Sequence, residues 1–167
     1  MPNMEIYRVF GKMMMGRFDN SVIVKSDAFC NSIRKNDADG IFRSLSSLMM
    51  AVLSSRVLDH EHSYQAFTVG ILLKLHGAYS MYADGERGKG YYDILLKSNS
   101  PCDPHIIMEF KKTRSNASDD TLRKTSENAL EQIRDRKYFH GLKGNVLMHG
   151  IAVRGKDVLV SSDTVSL

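Results

Sequence analysis

Apolar residues recur along this chain with two periods, and the change of period divides it. Up to residue 58 the spacing is helical. Asn3 is placed to cap a first helix bearing Ile6, Val9, Phe10, Met13 and Met14, and Ser26 with Asp27 to open a short second helix through Ile33. NDADG (36–40) reads as a linker, after which Ile41, Leu45, Leu48, Met49, Val52 and Leu53 return at helical spacing. A stronger helix is predicted in DHEHSYQAFTVGILLKLHG (59–77), with Tyr64, Phe67, Ile71 and Leu75 as its buried stripe and Gly77 as its stop. The period then shortens. AYSMYA (78–83) predicts a strand and DGERGKG (84–90) a mobile basic loop; GYYDILLK (90–97) and HIIMEFKK (105–112) predict two strands about a proline-containing turn. A helix follows, with Ser118 as cap and Asp119 and Asp120 in its first turn. NVLMHGIAV (145–153) and DVLVSS (157–162) close the chain as a hairpin. The expected architecture is α/β: residues 1–58 form a helical accessory segment, and residues 59–167 a domain in which helices flank a central mixed sheet.

Two of these strands carry an acid within an apolar run, Asp93 and Glu109. A buried charge is costly unless it is paired or bound to a cation. Alternation along a strand projects Glu109 and Lys111 together, with Phe110 on the opposite face. If the strand of Asp93 lies alongside, two carboxylates and an ammonium converge. Such oxygens suit Mg²⁺, which keeps several waters and takes one or two carboxylates. The cation would activate water and steady phosphate charge, and Lys111 would orient the water and stabilise the transition state. Spacing alone leaves a second reading standing, in which Glu109 simply forms a strand-end ion pair with Lys111.

Other motifs drop out. DGERGKG lacks the glycine of a phosphate-binding loop, because Ala83 stands there, and Gly90 stands where Ser or Thr is needed. A dinucleotide fingerprint would need glycine at Asp93. HEH (60–62) lacks the four-residue spacing of a zinc pair on a helix, and Cys30 and Cys102 are too far apart for a zinc motif, which reads as free thiols in a reducing cytosol. No stretch has the length and apolarity of a membrane span, and the first residues have no leader pattern, reading as a cut within a longer chain. The formal charge of +4 is a mild basic bias that suits a polyanion.

The ordered set HSYQAFTVGILLKL, GERGKGYYDILL, IIMEFKK, ALEQIRDRKY and GIAVRGK, over about residues 59–156, resembles the PD-(D/E)XK nuclease superfamily. It looks most like the nuclease-like domain found behind a predicted AAA-type ATPase domain in bacterial and archaeal proteins. The resemblance implies a restriction-endonuclease-like core of helix, three strands, helix and strand. It implies Mg²⁺-dependent nuclease activity, with Mn²⁺ as substitute, in a cytoplasmic protein. Asp93 and Glu109 would be metal-binding acids, Lys111 the catalytic lysine, and Glu61 the further acid on the first core helix. Gln132 and Tyr138 match the Gln and Tyr at the end of the second helix as supporting contacts; helix surface and core packing are their alternative reading. The proline that names the motif is absent, since Tyr92 precedes Asp93. Nucleic acid is the implied partner, DNA before RNA, with Arg87, Lys89, Lys112, Arg114, Arg123 and Lys124 offering phosphate contacts. Further expected partners are an ATPase domain and a second copy docked through the methionine-bearing N-terminal helices. The alternative is a non-catalytic nuclease-fold module that binds nucleic acid or a protein.

Overall fold

The computed structural model describes residues 20–53 and 61–167. The helix expected over Asn3–Met14 and the residue His60 lie outside the described residues. Five strands form one sheet in chain order: β1 (Tyr79–Arg87), β2 (Gly90–Ser98), β3 (His105–Lys112), β4 (Asn145–Arg154) and β5 (Asp157–Ser166). Only β3 and β4 pair in parallel, because helix α4 (Asp119–Asp135) carries the chain back between them; the other pairs are antiparallel. The sheet is therefore mixed, as expected, and helices flank it.

Alternation on the strands builds two cores. Ile94, Leu96, Ile106, Met108, Phe110, Ile151 and Val153 face a layer of α1 (Asn20–Arg34), α2 (Ala38–Val52) and α3 (Glu61–Leu72). Leu95, Ile107, Val146 and Met148 face α4 through Leu130 and Ile133. The stripe expected on α3 is buried at Tyr64, Phe67 and Ile71, with Leu75 partly buried beyond it. The two N-terminal helices thus share one core with the sheet. His149 of β4, fully buried, ties them to it: its Nε2–H donates to the Ile33 carbonyl at 3.1 Å, and its Nδ1 meets Ser162 Oγ at 2.8 Å.

Four expectations about local structure change. Helix α1 is already formed at Asn20, and Ser26 lies inside it with its hydroxyl donating to the Val22 carbonyl at 2.8 Å; a serine satisfied one turn back has no need to cap. The NDADG linker shrinks to Asn36 and Asp37, because Asp37 caps α2 by accepting from the Gly40 amide at 2.9 Å. Strand β1 runs on through Arg87, since it is an edge strand whose outer positions tolerate polar residues. Only Gly88 and Lys89 turn, and the turn is not free: the Lys89 amide donates to the Arg136 carbonyl at 2.8 Å, and Arg87 Nη1 to the His140 carbonyl at 2.9 Å. Ser118 caps α4 as expected, accepting from the Thr121 amide at 3.2 Å. Cys30 is buried and Cys102 exposed, both free thiols.

Candidate active site

The ladder between β2 and β3 covers Ile94–Met108, Leu95–Ile107 and Leu96–Ile106, and it stops where the next partners would be Asp93 and Glu109. The ladder between β1 and β2 also skips the Asp84–Asp93 position, where Asp84 has φ +49°. Strand β2 turns over here. Tyr92, which strict alternation would place with Ile94, packs instead in the α4-side core beside Tyr138, ring centroids 6.3 Å apart. The strands splay, and Asp93 fills the gap by accepting the Phe110 amide on Oδ2 at 2.6 Å.

Into this opening the structure brings the six central candidates. Glu109 is 1% exposed. Its Oε1 accepts from Lys111 Nζ at 3.0 Å and from Gln132 Nε2, while its Oε2 is buried with no hydrogen-bond partner. Gln132 Nε2 also donates to Tyr138 Oη at 2.9 Å, so both amide hydrogens are committed and the Glu109 carboxylate is held in one orientation. Glu61, the first residue of α3, accepts the Lys112 amide on Oε2 at 2.8 Å, which fixes the end of β3 next to Lys111.

The electrostatics follow from burial. Burial pushes the Glu109 carboxyl up to about 7; the neighbouring Asp93 charge adds to this, and Lys111 opposes it. The Asp93 amide also favours the charge without closing a hydrogen bond to Oε2. Asp93 is raised by burial as well, countered by the Phe110 amide, Gln65 and Lys111. For Lys111, burial works to lower the pKa, but Glu109, with the charges of Glu61 and Asp93, outweighs it and holds the ammonium above its usual range.

These donors fit a hard divalent cation at one definite point: a buried, unpartnered carboxylate oxygen beside a second carboxylate. The fit is for a cation that brings its own water. Among the described residues, no three acid, histidine or cysteine side chains close into a metal cage.

Residues 59–162 match the family model of the PD-(D/E)XK nuclease superfamily. The chain belongs to that superfamily. No curated protein sequence matches it at a significant level. Membership makes a nuclease-type phosphodiester hydrolase the coarse expectation for the splayed strands, with a divalent metal as the usual requirement. No described helix is long and apolar enough to cross a membrane.

The basic candidates are scattered. Arg87 and Lys89 sit at the β1–β2 turn, Lys112 at the exposed end of β3, Arg114 in the loop after it, and Arg123 and Lys124 on the outer surface of α4. Two residues near the acids were not foreseen. Gln65 is 6% exposed; its Oε1 meets His62 Nδ1 at 2.9 Å, and its side chain favours the charge of Asp93. Spacing could have found it, because Gln65 lies one helical turn after Glu61 on the same face. Asp84 is the other, and a single left-handed residue in a polar strand leaves no sequence signal.

Proposed function

We propose that this protein is a divalent-metal-dependent nuclease, with Mg²⁺ as the natural ion and Mn²⁺ as substitute. It hydrolyses phosphodiester bonds in nucleic acid at the splay between β2 and β3. The observation that carries this reading is the buried Glu109 Oε2, unpartnered beside Asp93 and Lys111. Asp93 and Glu109 would hold the metal, with Glu61 taking a bound water; the metal would lower the pKa of that water and offset charge on the phosphate. Gln132 and Tyr138 keep Glu109 in its orientation. Lys111 stays protonated, which suits stabilising the pentacovalent phosphate and disfavours a role as base. The substrate reading is DNA rather than RNA. An ATPase domain or a second copy belongs to the same proposal as partner, with the exposed Val24, Phe42 and Met50 of α1 and α2 as apolar contact positions.

The 3.0 Å ion pair between Lys111 and Glu109 favours a second reading, a non-catalytic module that binds nucleic acid. Cleavage separates the two. Single-stranded, duplex and branched DNA and RNA are incubated with Mg²⁺, Mn²⁺ or EDTA. Metal-dependent cutting that Asp93→Ala and Lys111→Ala abolish supports the nuclease; no cutting, or variants as active as the parent, favours the module.

A further inference from the structure

The tripeptide Arg-Gly-Lys occurs twice in the chain, and each copy makes a two-residue hairpin turn: 87–89 between β1 and β2, and 154–156 between β4 and β5. Gly88 has φ +63° and Gly155 φ +60°, so both turns call on the left-handed freedom of glycine to the same degree. Their surroundings differ. A Cβ added at Gly155 meets nothing within 4 Å, whereas one at Gly88 would collide with the carbonyl oxygens of Arg136 and Lys137. Glycine at 88 is therefore required by what lies against it, the segment that follows α4.

Three hydrogen bonds anchor that segment to the turn. The Lys89 amide donates to the Arg136 carbonyl at 2.8 Å, Arg87 Nη1 to the His140 carbonyl at 2.9 Å, and Arg136 Nη1 to the Lys89 carbonyl at 3.3 Å. Between these anchors stands Tyr138, 2% exposed. Tyr92 meets its ring edge-on, and Gly90 backs onto it so closely that a Cβ there would touch Cε1 at 3.4 Å. The Tyr138 hydroxyl is thereby fixed as the acceptor for Gln132 Nε2 at 2.9 Å, and the same Nε2 donates to Glu109 Oε1. An amide whose second hydrogen is already bound cannot swing away from the carboxylate it serves. The other group on Oε1, Lys111, sits on a flexible four-carbon stem with 34% of its side chain exposed. The rigid hold on Glu109 therefore runs through Gln132, and back through Tyr138 to the turn.

We propose that the β1–β2 turn is a positioning element for Glu109: Gly88 lets it seat the segment after α4, Tyr92 and Gly90 wall in Tyr138, and Tyr138 fixes the Gln132 amide that aims the carboxylate. The turn touches neither acid and acts only through this chain of contacts. The purpose of the chain rests on the metal-dependent reading above, but the hold on Glu109 exists without a metal and can be observed without one. Plain core packing at Tyr138 would need its ring and not its hydroxyl.

The test reads two signals on the full chain: the Gln132 side-chain amide by ¹⁵N NMR in EDTA, and Mg²⁺ affinity by calorimetry. In the parent the Gln132 amide protons should exchange slowly with solvent. Tyr138→Phe, which keeps the ring, should release them and weaken Mg²⁺ binding by about tenfold. Gly88→Ala should do the same from the remote turn, with affinity lower by about threefold or more. Arg87→Met, which loosens that turn without backbone strain, should move both signals in the same direction. Gly155→Ala carries equal strain in the other turn and should move neither. A Gln132 amide unchanged in Tyr138→Phe or in both turn variants, or changed as much by Gly155→Ala, overturns the proposal. A parent that binds no Mg²⁺ while the amide responds as expected would overturn the metal-dependent reading and leave the positioning chain standing.

Discussion

Replacing Gly150 by alanine puts one methyl group between β4 and α4. Its Cβ would stand 2.3 Å from both the Leu130 amide nitrogen and the Ser126 carbonyl oxygen, and 2.9 Å from Leu130 Cα. All three are backbone atoms, so no side-chain rotation relieves the contact. To reach the 3.4 Å of ordinary packing, the helix must retreat by about 1.1 Å. Overpacking of this kind costs about 1–3 kcal/mol. The reduced freedom of the unfolded chain returns about 0.4–1 kcal/mol, so the net change is destabilising. Urea denaturation should show the midpoint fall, by up to about 1.3 M at a slope near 2 kcal/mol/M. The damage should also reach the acids, because Gly150 pairs with Glu109 and α4 carries Gln132. Any metal-dependent cleavage should therefore drop more than the folded fraction does. A Gly150→Ala protein with unchanged midpoint and cleavage would refute the seating of α4 described here.

His149 is buried with its pKa lowered to about 4, desolvation outweighing the Ile33 carbonyl. The unfolded chain takes up the proton near pH 6.5 and the folded one does not, so stability is intact above 6.5. It should fall by about 1.4 kcal/mol per pH unit down to about 4; an imidazole that titrates above pH 5 by NMR would contradict this. Glu109 has the opposite sign in the metal-free protein. Its folded pKa of about 7 lies above the usual value, so its contribution is full below about 4.5 and is lost as pH rises through 7. Glu109→Gln should therefore raise the metal-free melting temperature at pH 8, and a lowered one would count against the assignment. Ser118→Ala should cost about 0.5–2 kcal/mol in urea denaturation, and Ser118→Asp should restore it.

Much of the fold was legible because its signals are local. β2 and β3 alternate against two cores, α4 announces its own cap, and the β4–β5 hairpin turns at glycine. What escaped depends on contacts between distant residues. Strand β1 looks like a loop through DGER because an edge strand is half solvent, and Gly88 gains its meaning from the carbonyls of Arg136 and Lys137. The candidate acids were readable as buried charges, and their register follows from the strands. The reversal of β2 at Asp93 was not readable, since it comes from two ladders breaking at one position. Gln65 was the exception, legible one helical turn after Glu61 on the same face.

The central claim is that Asp93 and Glu109 accept burial in order to hold a divalent cation. Calorimetric titration of the metal-free protein with Mg²⁺ and Mn²⁺ tests it most directly. Saturable binding in the parent, lost in Asp93→Ala and in Glu109→Ala while both variants stay folded, is the predicted result. Unchanged affinity in either variant, or no binding in the parent, would contradict it.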